Sequence, residues 1–550
     1  MRNAKILIST FIILISLSLS LLAQQKQDLA FAEAVKNGVL VNEGFNRSIK
    51  YVNAWTKYAD PGTGLIPRNI KESKDYWNAW DAAADNYPYM VLTSSILMPE
   101  YLNTTALNML ETEQNLTSRI GKLPDTYSFT KKGFLNETPD SSQILFGAAE
   151  YMKDGLIPLT EWLGQSPWSD RMLGILNDLP RLARVVKDVR DARFGKSSVV
   201  EVNGDLLQVL TRMYWFTGKR EYLDWAVEIG DYYLNDERLP TKAMDRLRIR
   251  DHGCEIISGL CEVYLATYYS MPEKRNQWQK YIHQMLDRIL AIGRNADGLF
   301  YDEVNPITGE ILSERLADNF GYTFNAYCFV HQIDSKPAYQ EALIKALSAL
   351  NGKYRNHDWE GNADGYADAI EGTLNLYNRV PIPSVKEWLD SEIRVLWAFQ
   401  KPEGIIEGWH GDGNFARTTL MYCLWKTQGI VPASWDEQLN IGAVDDNGKL
   451  KIAITCKTGW EGLLKFDLPR YKDLMHYPTD YPRINQFQQW FTIDASKKYK
   501  VKTANLKPKT VDGAELIKGL PVKVAPGEAV YLTVSKGKDL ILEGRRKNRR

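Results

Sequence analysis

Cysteine is scarce in this sequence: five residues in 550, an odd number, with no CxxC pair. That excludes a disulfide-built scaffold and leaves Cys254, Cys261, Cys328, Cys423 and Cys456 as expected buried thiols. There are six histidines, and no HExxH pattern, calcium loop or Cys/His grid. "DEVNPITGE" at 302–310 offers oxygen ligands without calcium-loop spacing. No metal and no cofactor is therefore expected. An excess of one charge is also lacking, because 68 Lys and Arg balance 68 Asp and Glu. That balance gives no electrostatic argument for a nucleic-acid partner. Neither a GxSxG elbow nor a Walker or Rossmann loop occurs, so the serine-hydrolase and nucleotide-binding signatures are excluded.

Long apolar runs are confined to the start. Arg2 and Lys5 lead into "ILISTFIILISLSLSLL", and Ala23 precedes Gln24. Residues 1–23 read as a secretory signal peptide, which predicts a periplasmic or secreted protein with no integral membrane domain after cleavage. What the chain has in quantity is aromatic side chains, 29 Tyr and 16 Trp. Such rings fill cores and also stack on sugars.

From about residue 29 to 430 the apolar residues recur with helical period, for example over 141–154, 168–190, 205–217, 253–270, 318–334, 364–378 and 413–428. Short connections between them predict stacked helical hairpins. "WTKYADPGTGLIPRN" at 55–69, "AIGRNADGLFYDEVNPITGE" at 291–310 and "AFQKPEGIIEGWHGDGN" at 398–414 form a weak internal repeat. Each has a helix end, a Gly suited to a left-handed cap, and then polar and aromatic residues. If the hairpins close into a ring, these loops share one rim. The fold class expected is mainly α: an (α/α)6–7 toroid of helical hairpins followed by a C-terminal antiparallel β-sandwich. Beyond about Trp435 short alternating stretches such as "NGKLKIAITC" and "EAVYLTVSK" read as strands. The expected domains are the signal peptide at 1–23, the toroid at 24–434, the sandwich at 435–541 and a basic tail at 542–550.

Five segments gather chemistry-bearing residues at helix starts. In "RIRDHGCEIISG" they are Arg250, Asp251, His252 and Glu255, with the acids at i, i+4 and a His able to shuttle protons near neutrality. In "NADGYADAIEG" Asp364, Asp368 and Glu371 stand at i, i+4 and i+7 on one helix face. Capping explains Asp364 alone. Four positions after Asp368 and Glu371 stand Gly372 and Asn375, so neither acid has a basic neighbour on its own helix. Repulsion within such a cluster raises one pKa and creates a general acid. "GWHGDGNFARTTLMY" supplies Trp409, His410, Asp412 and Arg417, "RLADNFGYTFNAYC" supplies Asp318, Asn319 and Tyr322, and "YWNAWDAAADNYPY" supplies Trp77, Trp80, Asp81 and Asp85. Arg68 sits in the first repeat loop.

The segments "RDHGCEIISGL", "NADGYADAIEG", "GWHGDGNFARTTL" and "DLPRYKDLMHYPTDYPRINQFQQWF" resemble glycoside hydrolase family 154, a group of β-glucuronidases, among the bacterial α/α-toroid hydrolases and lyases. The resemblance implies exo-acting release of glucuronic acid from a uronate-containing glycan, with a carbohydrate as the partner. It carries over no named catalytic pair, so the site residues rest on the reading above. The catalytic candidates are Asp251, His252, Glu255, Asp368, Glu371, Tyr322 and His410. The substrate-binding candidates are Arg68, Asp81, Asp85, Trp80, Arg250, Asn319, Asp364, Trp409, Asp412 and Arg417. Hydrolysis needs two carboxyl groups. Uronate β-elimination by a lyase or dehydratase would instead use a Tyr or His base with Arg stabilising the enolate. Hydrolysis of an unsaturated glucuronide and non-enzymatic glycan binding are further alternatives. Oligomeric state is not legible.

Overall fold

The computed structural model describes residues 2–190, 196–503 and 506–537, with side chains from residue 29 onward. The side chains of the signal peptide read at 1–23, and the whole basic tail read at 542–550, lie outside the described residues. Among the described residues no helix is long and apolar enough to cross a membrane.

The chain divides into two compact units. One comprises Arg47–Tyr422 and Arg470–Gln488; the other comprises Met1–Asn46, Cys423–Pro469 and Gln489–Arg550.

The first unit is mainly helical and built from packed helix pairs. Val199–Thr217 packs on Cys254–Ser270, which packs on Phe320–Asp334, which packs on Ala363–Arg379. These four are buried over most of their length, and their buried residues include charged side chains such as Asp205, Arg212, Glu255 and Glu371. Each is followed by an amphipathic partner that lies against it: Arg220–Tyr233, Pro272–Ile292, Pro337–Lys353 and Pro383–Ala398. Three of the partners open on Pro, whose fixed φ and missing N–H suit the first helical position. The inner row continues in both directions. The π-helical segments Ala79–Asn86 and Tyr151–Leu156 pack on each other, and the second packs on Val199–Thr217. At the other end, the helix Asn414–Thr427 is tied to Ala363–Arg379 by the Thr418 hydroxyl, which donates to Ala367 O at 3.1 Å. It is tied to Ala79–Asn86 by Gly413 N–H, which donates to Asp85 O at 2.8 Å.

Two glycine contacts set how closely the inner helices approach. A Cβ on Gly321 would stand 2.5 Å from Gly372 Cα. Only paired glycines allow that crossing, and it brings Tyr322 within reach of Asp368. A Cβ on Gly259 would likewise stand 2.6 Å from Gly204 O, which draws Asp205 beside Glu255.

The expected helix over 168–190 is shorter. It runs Pro167–Asp178, because Pro180 lacks the N–H needed to continue it. The repeat segment at 291–310 runs into a hairpin. Tyr301–Val304 pairs with Ile311–Leu316 and with Leu247–Arg248 in an antiparallel sheet.

The second unit holds the β-rich region. Leu439–Asp445, Lys449–Cys456, Ala529–Lys536, Lys498–Thr503 and Lys509–Asp512 form a five-stranded antiparallel sheet in that spatial order. Leu520–Val524, Trp460–Lys465 and Val431–Pro432 form a three-stranded one. Alternate residues of both sheets, among them Ile441, Ile452, Tyr499, Leu532, Leu464 and Val522, share one apolar core.

Candidate functional site

All five segments singled out in the sequence lie in the helical unit. Their helix starts follow one another along the inner row, and side chains from all five meet in one polar cleft of about 490 Å³. Its walls carry Asp85, Glu150, Lys153, Asp154, Asp251, His252, Tyr322, Asp364, Asp368, His410, Asn414 and Arg417. A second, more open cleft of about 750 Å³ shares Asp364 and His410 with it and adds Asp412 and Trp409. The Trp409 side chain is 58 % exposed, and the Arg68 guanidinium lies 5.5 Å from its ring centroid.

Asp368, Tyr322 and Arg417 line the polar cleft, and Glu371 is buried behind them. The Tyr322 hydroxyl stands 2.9 Å from Asp368 Oδ1 and 2.7 Å from Glu371 Oε2. Arg417 Nη2 contacts the same two oxygens, at 2.6 and 2.8 Å. One cation thus serves two carboxyl groups. Burial pushes Asp368 well up from the carboxylate range, and Asp364 adds to the push while Arg417 opposes it. Glu371 is raised by burial and held back by Arg417, Tyr322 and the Asn485 N–H. Both contacts to Asp368 land on Oδ1, and among the described residues Oδ2 has no hydrogen-bond partner. A proton on this carboxyl therefore belongs on Oδ2. Burial also raises Tyr322 far above the usual phenol range, so its hydroxyl stays protonated.

A second group surrounds Lys153, whose Nζ lies 2.9 Å from Asp154 Oδ1, 3.4 Å from Glu255 Oε1 and 4.0 Å from Asp205 Oδ1. Asp154 lines the cleft; Glu255 and Asp205 sit behind it and are pushed up by burial. Both Asp205 oxygens lack a hydrogen-bond partner among the described residues. His252 is clasped between Glu201, at Nδ1, and Asp251, 2.7 Å from Nε2. Its φ of 71° is unusual for a residue with a Cβ.

The third group is His410, with Asp81 at 3.7 Å and Asp85 at 3.6 Å from Nε2. Its Nδ1 faces Gly411 O at 2.9 Å, so that nitrogen carries a proton. Burial would lower this imidazole, but Asp81 and Asp85 override it and raise it to about 9. Burial pushes Asp85 well up. Asp412 is raised to about 7, first by burial and then by Asp364. Asp81, Asp85 and His410 bring one ligand atom each within 4.8 Å of one another, a spacing that could hold a metal ion. Arg68 Nε already sits 2.6 Å from Asp81 Oδ2 and competes for that carboxylate.

The other candidates lie elsewhere. Trp80 is in the core against Phe146. Arg250 is held by Glu360, by Asp318 at 3.8 Å and by Asp302 at 4.0 Å. Asn319 is buried and donates to Cys254 Sγ at 3.7 Å. Arg68, Asp81, Arg250, Glu255, Asn319, Trp80 and Glu371 are not among the residues lining either cleft. Sequence reasoning passed over Lys153, Asp154, Glu150 and Asn485. The pair "KD" at 153–154 had a signal, because it interrupts an otherwise apolar helical run.

No family model matches the chain, and no curated protein matches it. Among solved structures it is similar to a family 76 glycoside hydrolase (mannosidase) of Bacteroides thetaiotaomicron, with 13 % identity, a TM-score of 0.40, and coverage of 70 % of this chain and 98 % of that one. It is similar to an inactive variant of an α-1,6-mannanase of Salegentibacter in complex with α-1,6-mannotriose, with 13 % identity, a TM-score of 0.40, and 69 % and 98 % covered. It is also similar to a possible family 105 member from Salmonella enterica serovar Paratyphi A, with 14 % identity, a TM-score of 0.37, and 51 % and 81 % covered.

Proposed function

We propose that this chain is an exported carbohydrate-active enzyme, an exo-acting hydrolase in which Asp368 is the general acid. One observation carries the reading. Asp368 is a buried carboxyl of the polar cleft with its Oδ1 occupied by Tyr322 and Arg417, its Oδ2 without a hydrogen-bond partner among the described residues, and a pKa that burial pushes well up. The unbroken succession of inner-row contacts, from Ala79–Asn86 round to Gly413 against Asp85, supports the closed α/α toroid. The exposed Trp409 at the open end suits a second sugar ring stacked beyond the reacting one.

In this mechanism Asp368 Oδ2 gives its proton to the leaving oxygen. Arg417 and the Tyr322 hydroxyl then stabilise the carboxylate that forms. The Asp154 carboxylate, on the opposite arm of the Asn485 bridge, takes the proton of the attacking water or attacks carbon itself. Asp154 lies 2.9 Å from the Lys153 ammonium while Asp368 shares the single Arg417 with Glu371, and such different surroundings are what acid–base division needs.

The finer reading, release of terminal glucuronic acid, rests on the resemblance of short segments to family 154. Among the alternatives, hydrolysis of an unsaturated uronate fits the same acid, because it too begins with protonation, there of an enol ether. Elimination is less well served. Both His252 nitrogens face carboxylates, His410 is held protonated, and Tyr322 keeps its proton, so none of the three is poised as a base.

The test is the product. Glucuronate-capped and unsaturated-uronate-capped oligosaccharides are offered separately to the purified protein. Free uronic acid from the first, or loss of the ultraviolet band of the second, supports hydrolysis. A new ultraviolet band from a saturated substrate would show elimination and overturn the reading.

A further inference from the structure

We infer that Asn485 is a positioning residue that holds the proposed acid and base at fixed separation and sets the charge on the Asp154 side. This rests on the reading of Asp368 and Asp154 given above. Asn485 belongs to Arg470–Gln488, a stretch bracketed in sequence by the strands Trp460–Lys465 and Lys498–Thr503 yet packed in the helical unit.

Three hydrogen bonds converge on this one residue. Its backbone N–H donates to Glu371 Oε1 at 2.7 Å. Its Oδ1 accepts from Arg417 Nη1 at 2.9 Å. Its Nδ2 donates to Asp154 Oδ1 at 2.8 Å. A guanidinium on one side and a carboxylate on the other permit only one amide orientation. Asn485 is buried, and its φ of 61° is the left-handed conformation that Asn tolerates better than other side chains.

The segment around it is pinned. Arg483 Nη2 pairs with Glu161 Oε2 at 2.7 Å, and Arg483 O accepts from Asn375 at 3.1 Å. Ile484 O accepts from Arg212 at 3.0 Å, and the Ile484 side chain packs against Tyr322 and Cys254. Asn485 is thus a rigid strut of one amide between the arm that carries Asp368 and the arm that carries Asp154.

The charged and titratable groups around the strut come from several elements. Lys153 and Asp154 come from Tyr151–Leu156, and Asp85 from Ala79–Asn86. Asp205 comes from Val199–Thr217 and Tyr322 from Phe320–Asp334, with Asp318 just before it. Asp364, Asp368 and Glu371 come from Ala363–Arg379, and Arg417 from Asn414–Thr427.

The test compares wild type with Asn485→Asp and Asn485→Gly. The first replaces the donor to Asp154 by a like charge; the second keeps the left-handed backbone and the N–H to Glu371 but removes the strut. Carboxyl 13C NMR titration, with the Asp154 signal assigned by its loss in Asp154→Asn, needs no substrate. In Asn485→Asp the Asp154 midpoint is expected to move up by about one pH unit. The acid limb of kcat/KM on a cleaved glycan should move the same way, and Asn485→Gly should lower kcat by about 10–100-fold with KM little changed. Thermal melts separate these effects from loss of fold. An unchanged Asp154 midpoint in folded Asn485→Asp overturns the inference. A shifted midpoint in a protein that cleaves no glycan leaves Asn485 as the strut and overturns the proposed function instead.

Discussion

In one buried network of the helical unit, Arg212 and Arg483 share Glu161 and Glu262. In another, Arg417 alone faces Asp368 and Glu371. Arg212 pairs with Glu262 at 2.7 Å and approaches Glu161 at 3.7 Å, while Arg483 pairs with Glu161 at 2.7 Å. Asp480 joins them, 3.4 Å from Arg483 and 3.1 Å from Arg379, so three cations meet three anions there, and Tyr477 and Tyr481 donate to Glu161 and Glu262 at 2.8 and 3.0 Å. Glu161 is buried, yet its two arginines pull it below the ordinary glutamate range. Asp368 is also buried and moves the other way. Depth does not separate the two carboxyls; the ratio of cations to anions does. A matched network holds charge and braces the scaffold. A network with one cation too few leaves a carboxyl pushed up, as the proposed acid requires.

The largest expected effect comes from breaking the unmatched network at its acid. Asp368→Asn keeps a carbonyl oxygen for Tyr322 and Arg417 but has no proton to donate. Turnover should fall by about 10³-fold or more, while the melting temperature holds or rises because a strained carboxyl is gone. A variant with near-native turnover would remove Asp368 from the chemistry.

Next comes the matched network. Glu161→Gln leaves Arg483 and Arg212 short of a counter-charge in the interior. Stability should drop by about 3–5 kcal/mol, read by denaturant unfolding. The unfavourable sign is specific to the matched pair; if Glu161→Gln and Asp368→Asn changed stability equally, cation ratio would not be what distinguishes the two networks.

Much of this contrast could be read in the sequence, but only on one side of each contact. The stripe of Asp364, Asp368 and Glu371 with no basic residue at i+4 was visible, and so was the oddity of burying it. Its partner Arg417 stands on another helix, and local spacing could only nominate it. Helix positions followed from apolar period, with Pro180 correcting one end. Asn485 was out of reach. It lies in the irregular stretch "YPRINQF", where no period identifies the element it packs against, and its three bonds join residues far apart in sequence. Trp80 marks the opposite difficulty, since a Trp near two acids reads as a sugar platform until Phe146 and Gly147 are seen packed against it.

A smaller effect follows from pH. Glu161, held low when folded, contributes stability that is present above its unfolded value and is lost as pH falls through the folded one. Asp318 and Asp412, raised to about 7, do the reverse. They ionise more readily in the unfolded chain, so stability is lost as pH rises from about 4 to about 7. The melting advantage of Asp412→Asn over wild type should therefore grow across that window and level off above it. An advantage independent of pH would show that Asp412 is ordinary when folded and that the excess of acid at the cleft is relieved elsewhere.

The smallest effect tests what lies outside both networks. Trp409 is uncharged, exposed and contributes no proton; in the proposed function its ring holds a sugar. If the charge imbalance alone governs chemistry, Trp409→Ala should leave kcat and its pH limbs in place and raise KM by about tenfold, equivalent to ~1.4 kcal/mol. The Arg68 guanidinium loses its stacking partner in this variant but keeps Asp81, so His410 and its acids stay as they are. A fall in kcat with unchanged KM would mean that the ring aligns the reacting bond rather than gripping the neighbouring sugar. The boundary between binding and chemistry would then run through the open cleft instead of at Asp364 and His410, where the two clefts meet.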